Sequence, residues 1–322
     1  VCDVKIGETH SIDKMREDFD AIFIGSGAWA DVSMNIPGED ASGVTSGIEF
    51  LKDAELGPTE PISGGAVIVG GGNTAMDAAR TVMRLGASSV TVVYRRTREE
   101  MPVQPEEVVE ALEEGVKFEF LASPVEVICD DHNSATGIKL QKMQLGSFDD
   151  SGRRRPVSVE GDFMEIPATN IIRAIGQKAI IPGGGPSAAK WGTIEVDEYT
   201  LATDFDGVFA GGDAVLGPAT AVQAIAHGRK AAQAIERYLH PDKFVAFPWI
   251  KPRTLDTAFD PMAPHADTVR HETPKLEPQE RRSCFDEVEL CLSAEDARLE
   301  AGRCLRCDFG KTFVSQNEDQ PC

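Results

Sequence analysis

The run Ala66-Val-Ile-Val-Gly-Gly-Gly-Asn-Thr-Ala-Met-Asp77 limits what this chain can fold into more than any other stretch. A β-branched segment suited to a buried strand breaks into three glycines and then into a helix former. Gly70 and Gly72 occupy the first two glycine positions of a G-x-G-x-x-G/A turn. The first permits the tight turn, the second has no β-carbon to obstruct a pyrophosphate, and Ala75 is small enough for helix and strand to pack closely. Asn73 and Thr74 lead into a helix predicted over 74–85, whose first N–H groups face the anion. Met76, Ala79, Val82 and Met83 recur at helical spacing, and Gly86 stands just past the expected end.

About 20 residues further on, Val90-Thr-Val-Val-Tyr-Arg-Arg96 supplies a second strand. An NAD site carries an acidic residue at the end of this strand for the ribose 2′-hydroxyl, whereas Arg95 and Arg96 offer bidentate cations to a 2′-phosphate. The pattern points to NADP, with NADPH as the reduced form. The plainer alternative is a solvated strand end.

Charge narrows the partners. With 32 Lys+Arg against 53 Asp+Glu the net charge is -21, which argues against nucleic acid and anionic membrane surfaces. No apolar run approaches the roughly 20 residues of a membrane helix. The start, Val1-Cys-Asp-Val-Lys, has no basic region followed by an apolar core, so a cytoplasmic location is expected. A length of 322 residues allows two domains.

Two further strands run into glycines. Asp20-Ala-Ile-Phe-Ile-Gly-Ser-Gly27 is followed by no apolar-periodic helix. Asp206-Gly-Val-Phe-Ala-Gly-Gly-Asp213 leads into Pro218 to Ile235, an alanine-rich helix whose small residues permit close backbone approach at its start. Between the nucleotide unit's second strand and this helix, Pro105 to Glu114 reads as an acidic helix with proline at its start. Strands are predicted at 116–120, 125–128, 137–145 and 168–175, with Arg153-Arg154-Arg155 in a hairpin-like loop, read as a solvated turn. Pro241 to Pro278 reads as an extended tail, and Glu287 to Arg306 as a helix with Ser293 capping its second half.

Taken in order, Gly70 to Asp77, Tyr94-Arg-Arg-Thr-Arg-Glu-Glu-Met-Pro102, Ala174-Ile-Gly-Gln177 and Gly211-Gly-Asp213 resemble the small subunit of NADPH-dependent glutamate synthase and its flavoprotein relatives. The resemblance implies an α/β fold with two dinucleotide-binding domains: a Rossmann-like NADP domain (63–170) inserted in an incomplete FAD domain (1–62 and 171–240), then an extended C-terminal tail (241–322). It also implies that Gly25, Gly27, Ala174, Ile175 and Gly176 mark the crossovers between domains. By the same resemblance Asp213 behind Gly212 would bind the ribityl or phosphate part of FAD, and Thr220 and Ala221 would set a helix N-terminus near the isoalloxazine carbonyl. On its own residues, Asp213 reads first as a turn cap. Thioredoxin reductases resemble the chain too, but their redox Cys-x-x-Cys has no counterpart here beside Cys129.

In this family a first G-x-G-x-x-G unit cradles the adenosine half of FAD, and this sequence opens after it. Either the chain is a fragment or a companion chain supplies the missing first half of the FAD site, and an obligate complex is expected. The tail resembles an element that opens iron–sulfur modules: Cys304 and Cys307 have ligand spacing, with Cys284 and Cys291 or Cys322 to complete a [4Fe-4S] cluster, zinc or inert thiols being the alternatives. The expected activity is NAD(P)H:acceptor electron transfer through FAD to an iron–sulfur or larger oxidoreductase subunit. A non-catalytic nucleotide-binding assembly subunit is the alternative.

Overall fold

A computed structural model describes residues 2–57, 61–149, 152–189, 192–243 and 269–302. The chain divides into two units, residues 1–245 with 282–284 and residues 246–281 with 285–322.

In the first unit, α1 (Ile12–Asp18), β1 (Ile22–Ile24) and β2 (Ala30–Asp31) precede β3 (Val44–Ser46) and α2 (Gly47–Leu56). Next come β4 (Gly65–Val69), α3 (Asn73–Arg84), β5 (Ser89–Tyr94), α4 (Pro105–Glu113) and β6 (Lys117–Phe120). The meander β7 (Ala122–Cys129), β8 (Ala135–Phe148) and β9 (Arg154–Pro167) leads to β10 (Asn170–Arg173) and β11 (Gln177–Lys178). The unit closes with β12 (Val208–Ala210), α5 (Asp213–Leu216) and α6 (Ala221–Leu239).

The central sheet is all parallel with order β3-β10-β4-β5-β6. Alternation along β4 explains its two-sided burial. Ile68, with Val92 of β5, joins the layer built with Met76, Ala79 and Val82 of α3 and Val108 of α4. Val67 and Val69, with Val93, face the other way into a layer formed with Ile138 and Leu140 of the antiparallel meander. Near-continuous apolar strands are what a parallel sheet covered on both faces requires.

A second, smaller assembly pairs β1 with β12 in parallel, over a core of Ile12, Ile22, Ile24, Ile194, Val208 and Ala214. The two connections between these assemblies, β2 and β11, pair with each other as an antiparallel ribbon.

The second unit contains α7 (Pro278–Arg281) and α8 (Ala294–Gly302), with Lys275 bridged to Glu289. The Ser293 hydroxyl accepts the N–H of Asp296 at 3.0 Å and so caps α8.

Three expectations differ from the structure. The sheet that carries the glycine turn extends beyond the expected 63–170, because β3 hydrogen-bonds along β10 in the same sheet and β10 runs to Arg173. Arg154 and Arg155 begin β9 and do not lie in a loop. This strand escapes pattern reading because most of its residues on both faces are exposed, leaving no apolar alternation. The helix expected over 287–306 starts only at Ala294, and Glu289 sits instead in a bridge. The tail segment from 244 to 268 lies outside the described residues.

Candidate functional site

The three glycines of the turn serve different ends. Gly70 has φ +147°, and a β-carbon there would overlap the Ala174 carbonyl oxygen of the adjoining connection. A β-carbon on Gly71 would run into the Tyr94 ring. Protein packing therefore accounts for both. At Gly72 the nearest neighbour to such a β-carbon is Pro102 Cγ at 3.9 Å, and φ is an ordinary -97°. Among the described residues nothing crowds this position, and beyond the ordinary preference for glycine over alanine at a helix N-cap the space it leaves fits a group brought in from outside, such as a pyrophosphate.

Gly72 is also the N-cap of α3, and no side chain caps that end. Its carbonyl takes the N–H groups of Ala75 and Met76, and the N–H groups of Asn73 and Thr74, which open the helix, have by their position no intrahelical acceptor. Ala75 is fully buried against the sheet, as close helix–strand packing demands. The cradle fits a dinucleotide.

At the end of β5 the two arginines part company. Arg95 is exposed, whereas Arg96 is only 4% exposed. The Arg96 guanidinium donates from Nε to the Arg154 carbonyl and from Nη2 to Asp149 Oδ2, both at 2.7 Å. The sequence pattern grouped the pair as cations for one phosphate. In the fold the second cation is committed to the β8–β9 hairpin.

The other predicted residues gather elsewhere in the unit. Gly25, Gly27, Gly212, Asp213, Thr220 and Ala221 line one cleft of about 410 Å³ together with Phe23 and Trp29. That size lies within the range of small-molecule sites. Thr220 is the N-cap of α6 in a reciprocal capping box with Gln223. Gly212 has φ +66°, which glycine tolerates, and donates its N–H to His227 Nδ1 at 3.2 Å. His227 is thus held as a neutral acceptor, and burial followed by the nearby Lys230 charge pushes its pKa below 6.5. Sequence reading missed this residue; nothing in its spacing marks it. Ala174, Ile175 and Gly176 belong to the connection and not to the cleft, where Gly176 accepts the Val32 N–H at 3.2 Å.

Phe23, Trp29, Leu216, Val222 and Ile225 are exposed around this cleft. In α6 the described side chains bury little, with Ala231 the one fully buried position. Such a helix lacks cover on its apolar flank.

Cys304 and Cys307 lie outside the described residues. Cys284 and Cys291 are free thiols, and among the described residues no group of three or more His, Cys, Asp or Glu is arranged to hold a metal. No helix among the described residues is long and apolar enough to cross a membrane.

The model of the pyridine nucleotide-disulphide oxidoreductases matches residues 2–228. The chain belongs to that family. It is 39% identical to the NADP(+)-dependent formate dehydrogenase subunit beta of Moorella thermoacetica over 316 residues, covering 94% of this chain and 44% of that one. It is 35% identical to the NADPH-Fe(3+) oxidoreductase subunit beta of Geobacter sulfurreducens, over 95% of this chain and 51% of the relative. With the glutamate synthase [NADPH] small chain of Azospirillum brasilense it shares 34% identity over 73% of this chain and 52% of that one. This chain therefore spans about half the length of the curated relatives it matches. Among solved structures, Mycobacterium tuberculosis FprA in complex with NADPH superposes with a TM-score of 0.61 at 20% identity, over 76% of this chain and 70% of that one. T. acidophilum thioredoxin reductase superposes at 0.52 and 19% identity, over 69% of this chain and 66% of that one. Both share the fold.

Proposed function

We propose that this chain is the nucleotide-binding part of an NADPH-dependent flavoprotein oxidoreductase subunit, with one wall of an FAD site in the cleft beside Asp213. The observation that carries the reading is Gly72, a glycine that no protein neighbour explains, at an uncapped helix start. The relatives' names, all of them NADP- or NADPH-linked, support the coenzyme.

In this reading the N–H groups around Asn73 and Thr74 hold the pyrophosphate, and Arg95 favours the 2′-phosphate. The start of α6 at Thr220 and Ala221 directs partial positive charge into the flavin cleft, where reduction adds negative charge. FAD, when bound, supplies the hydride-accepting ring. The surface of Phe23, Trp29, Val222 and Ile225 would be covered by the polypeptide that completes the flavin fold, in the same or a companion chain. Onward transfer to an iron–sulfur acceptor through Cys304 and Cys307, in a larger complex, extends the proposal, and no step here depends on it.

The test is anaerobic. The complete protein, purified with whatever polypeptide covers the cleft, is expected to carry flavin whose absorbance bleaches on adding NADPH. Nucleotide binding by a complete assembly without flavin would overturn the catalytic reading and leave an assembly subunit.

A further inference from the structure

The Arg96–Asp149 pair fastens two regions far apart in sequence. Glu100 reinforces the attachment. Its Oε1 accepts the Arg154 N–H at 3.2 Å, while Oε2 accepts the Thr97 N–H at 3.3 Å in a capping box. The backbone of Arg154 is therefore held on both sides, its N–H by Glu100 and its carbonyl by Arg96. Both carboxylates nearby are engaged, Asp149 by Arg96 and Glu100 by those N–H groups.

The loop that does this holding also touches the glycine turn. The Tyr94 ring lies against Gly71, and the Tyr94 hydroxyl donates to the Glu100 carbonyl at 2.9 Å. In sheets of this type the end of the second strand is where the ribose 2′-substituent is read. The start of β9 is thus fixed at the coenzyme-selecting end, with the Arg154 side chain exposed and its guanidinium 5.8 Å from the Phe148 ring centroid. A cation so placed needs no large rearrangement to meet a phosphate, and stacking on an aromatic face restrains it beforehand.

We propose that Arg154, delivered by the β8–β9 hairpin, is a specificity-determining residue for the 2′-phosphate, and that Arg96 is a positioning residue acting through it. The proposal rests on the NADPH reading above. It reverses the sequence-based view, in which Arg96 met the phosphate and Arg154 was a solvated turn.

The experiment measures binding of adenosine 2′,5′-bisphosphate and of 5′-AMP to the full chain by calorimetry, so no flavin or turnover is needed. Arg154→Ala, an exposed change, is expected to weaken the bisphosphate about tenfold, as loss of a charge-assisted contact would, and to leave 5′-AMP unchanged. Arg96→Lys should weaken the bisphosphate in the parent chain and add nothing once Arg154 is alanine, the non-additivity expected of a residue acting through another. Asp149→Asn serves the same comparison if Arg96→Lys fails to fold. Wild-type preference for the bisphosphate together with an indifferent Arg154→Ala would overturn this proposal alone. A wild-type chain that does not distinguish the two ligands would overturn the NADPH reading and this one with it.

Discussion

Arg173, the last residue of β10, donates from both Nε and Nη2 to a single carboxylate oxygen of Asp31, at 2.7 and 2.6 Å. Its Nη1 reaches Glu39 at 3.2 Å, and Glu39 in turn accepts the backbone N–H groups of Met34 and Asn35. One guanidinium therefore ties the outgoing connection around β2 to the returning one around β11. Arg173→Met leaves two partly buried carboxylates without their cation, and is expected to lower unfolding stability by about 1–3 kcal/mol, discounted for partial exposure. Chemical denaturation of the variant beside the parent measures it.

The glycine turn gives a contrast between neighbours two residues apart. Gly72→Ala introduces a methyl group whose nearest non-neighbouring atom among the described residues is 3.9 Å away, so stability should fall by no more than about 1 kcal/mol, the N-cap preference for glycine, while NADPH affinity falls at least about tenfold. Gly70→Ala, at φ +147° against the Ala174 carbonyl, should instead cost more than about 2 kcal/mol of folding. Melting curves paired with nucleotide titrations separate the two; similar melting losses at both sites would refute the ligand explanation of Gly72.

Glu114 sits fully buried at the end of α4, where Oε1 accepts Arg80 Nε and Nη2 at 3.0 and 2.6 Å and Arg84 Nη2 at 3.2 Å. Arg84 also donates from Nε to the Cys284 carbonyl at 3.0 Å. Glu114→Ala takes the shared carboxylate from both cations, Arg80 keeping Glu110 at 2.9 Å and Arg84 the Cys284 carbonyl, at an expected cost of roughly 2–4 kcal/mol in urea unfolding. Loosening of residues 282–284 should accompany it, visible as faster amide hydrogen exchange at that segment.

His227 predicts a pH effect beside the Asp213 cleft. Its folded pKa lies below the ordinary 6.5, so the unfolded chain binds more protons as the solution is acidified. Its contribution is complete above pH 6.5 and falls as pH drops from there towards the folded value. Imidazole NMR titration should place His227 below 6.5, and His227→Gln should flatten the stability slope in that window. A titration at or above the ordinary value would refute burial and the Lys230 charge as what acts on this ring.

Local signals were read well and long-range ones poorly. The strand, turn and helix over residues 65–84 were legible because β-branching, glycine placement and helical spacing all agree there. Gly25, Gly27, Gly212, Asp213, Thr220 and Ala221, far apart in sequence, line one cleft, whereas Ala174, Ile175 and Gly176 do not. The placement of β3 was not legible, since three residues carry no period. Nor was the fate of Arg96, whose partners, Asp149 in the β8–β9 connection and Arg154 at the start of a largely exposed strand, are 53 and 58 residues away. Glu100 left a trace, Thr97-x-x-Glu100, readable as a capping box, though its second bond to Arg154 was not.

The nucleotide sheet has apolar layers on both faces, one with α3 and α4 and one with the meander, whereas β1 and β12 rest on the small cluster around Ile12 and Val208. Heat should therefore take this chain apart in two steps. The lobe around Gly72 would keep its shape, and hold its coenzyme, at temperatures where the strands beside Asp213 have already let go.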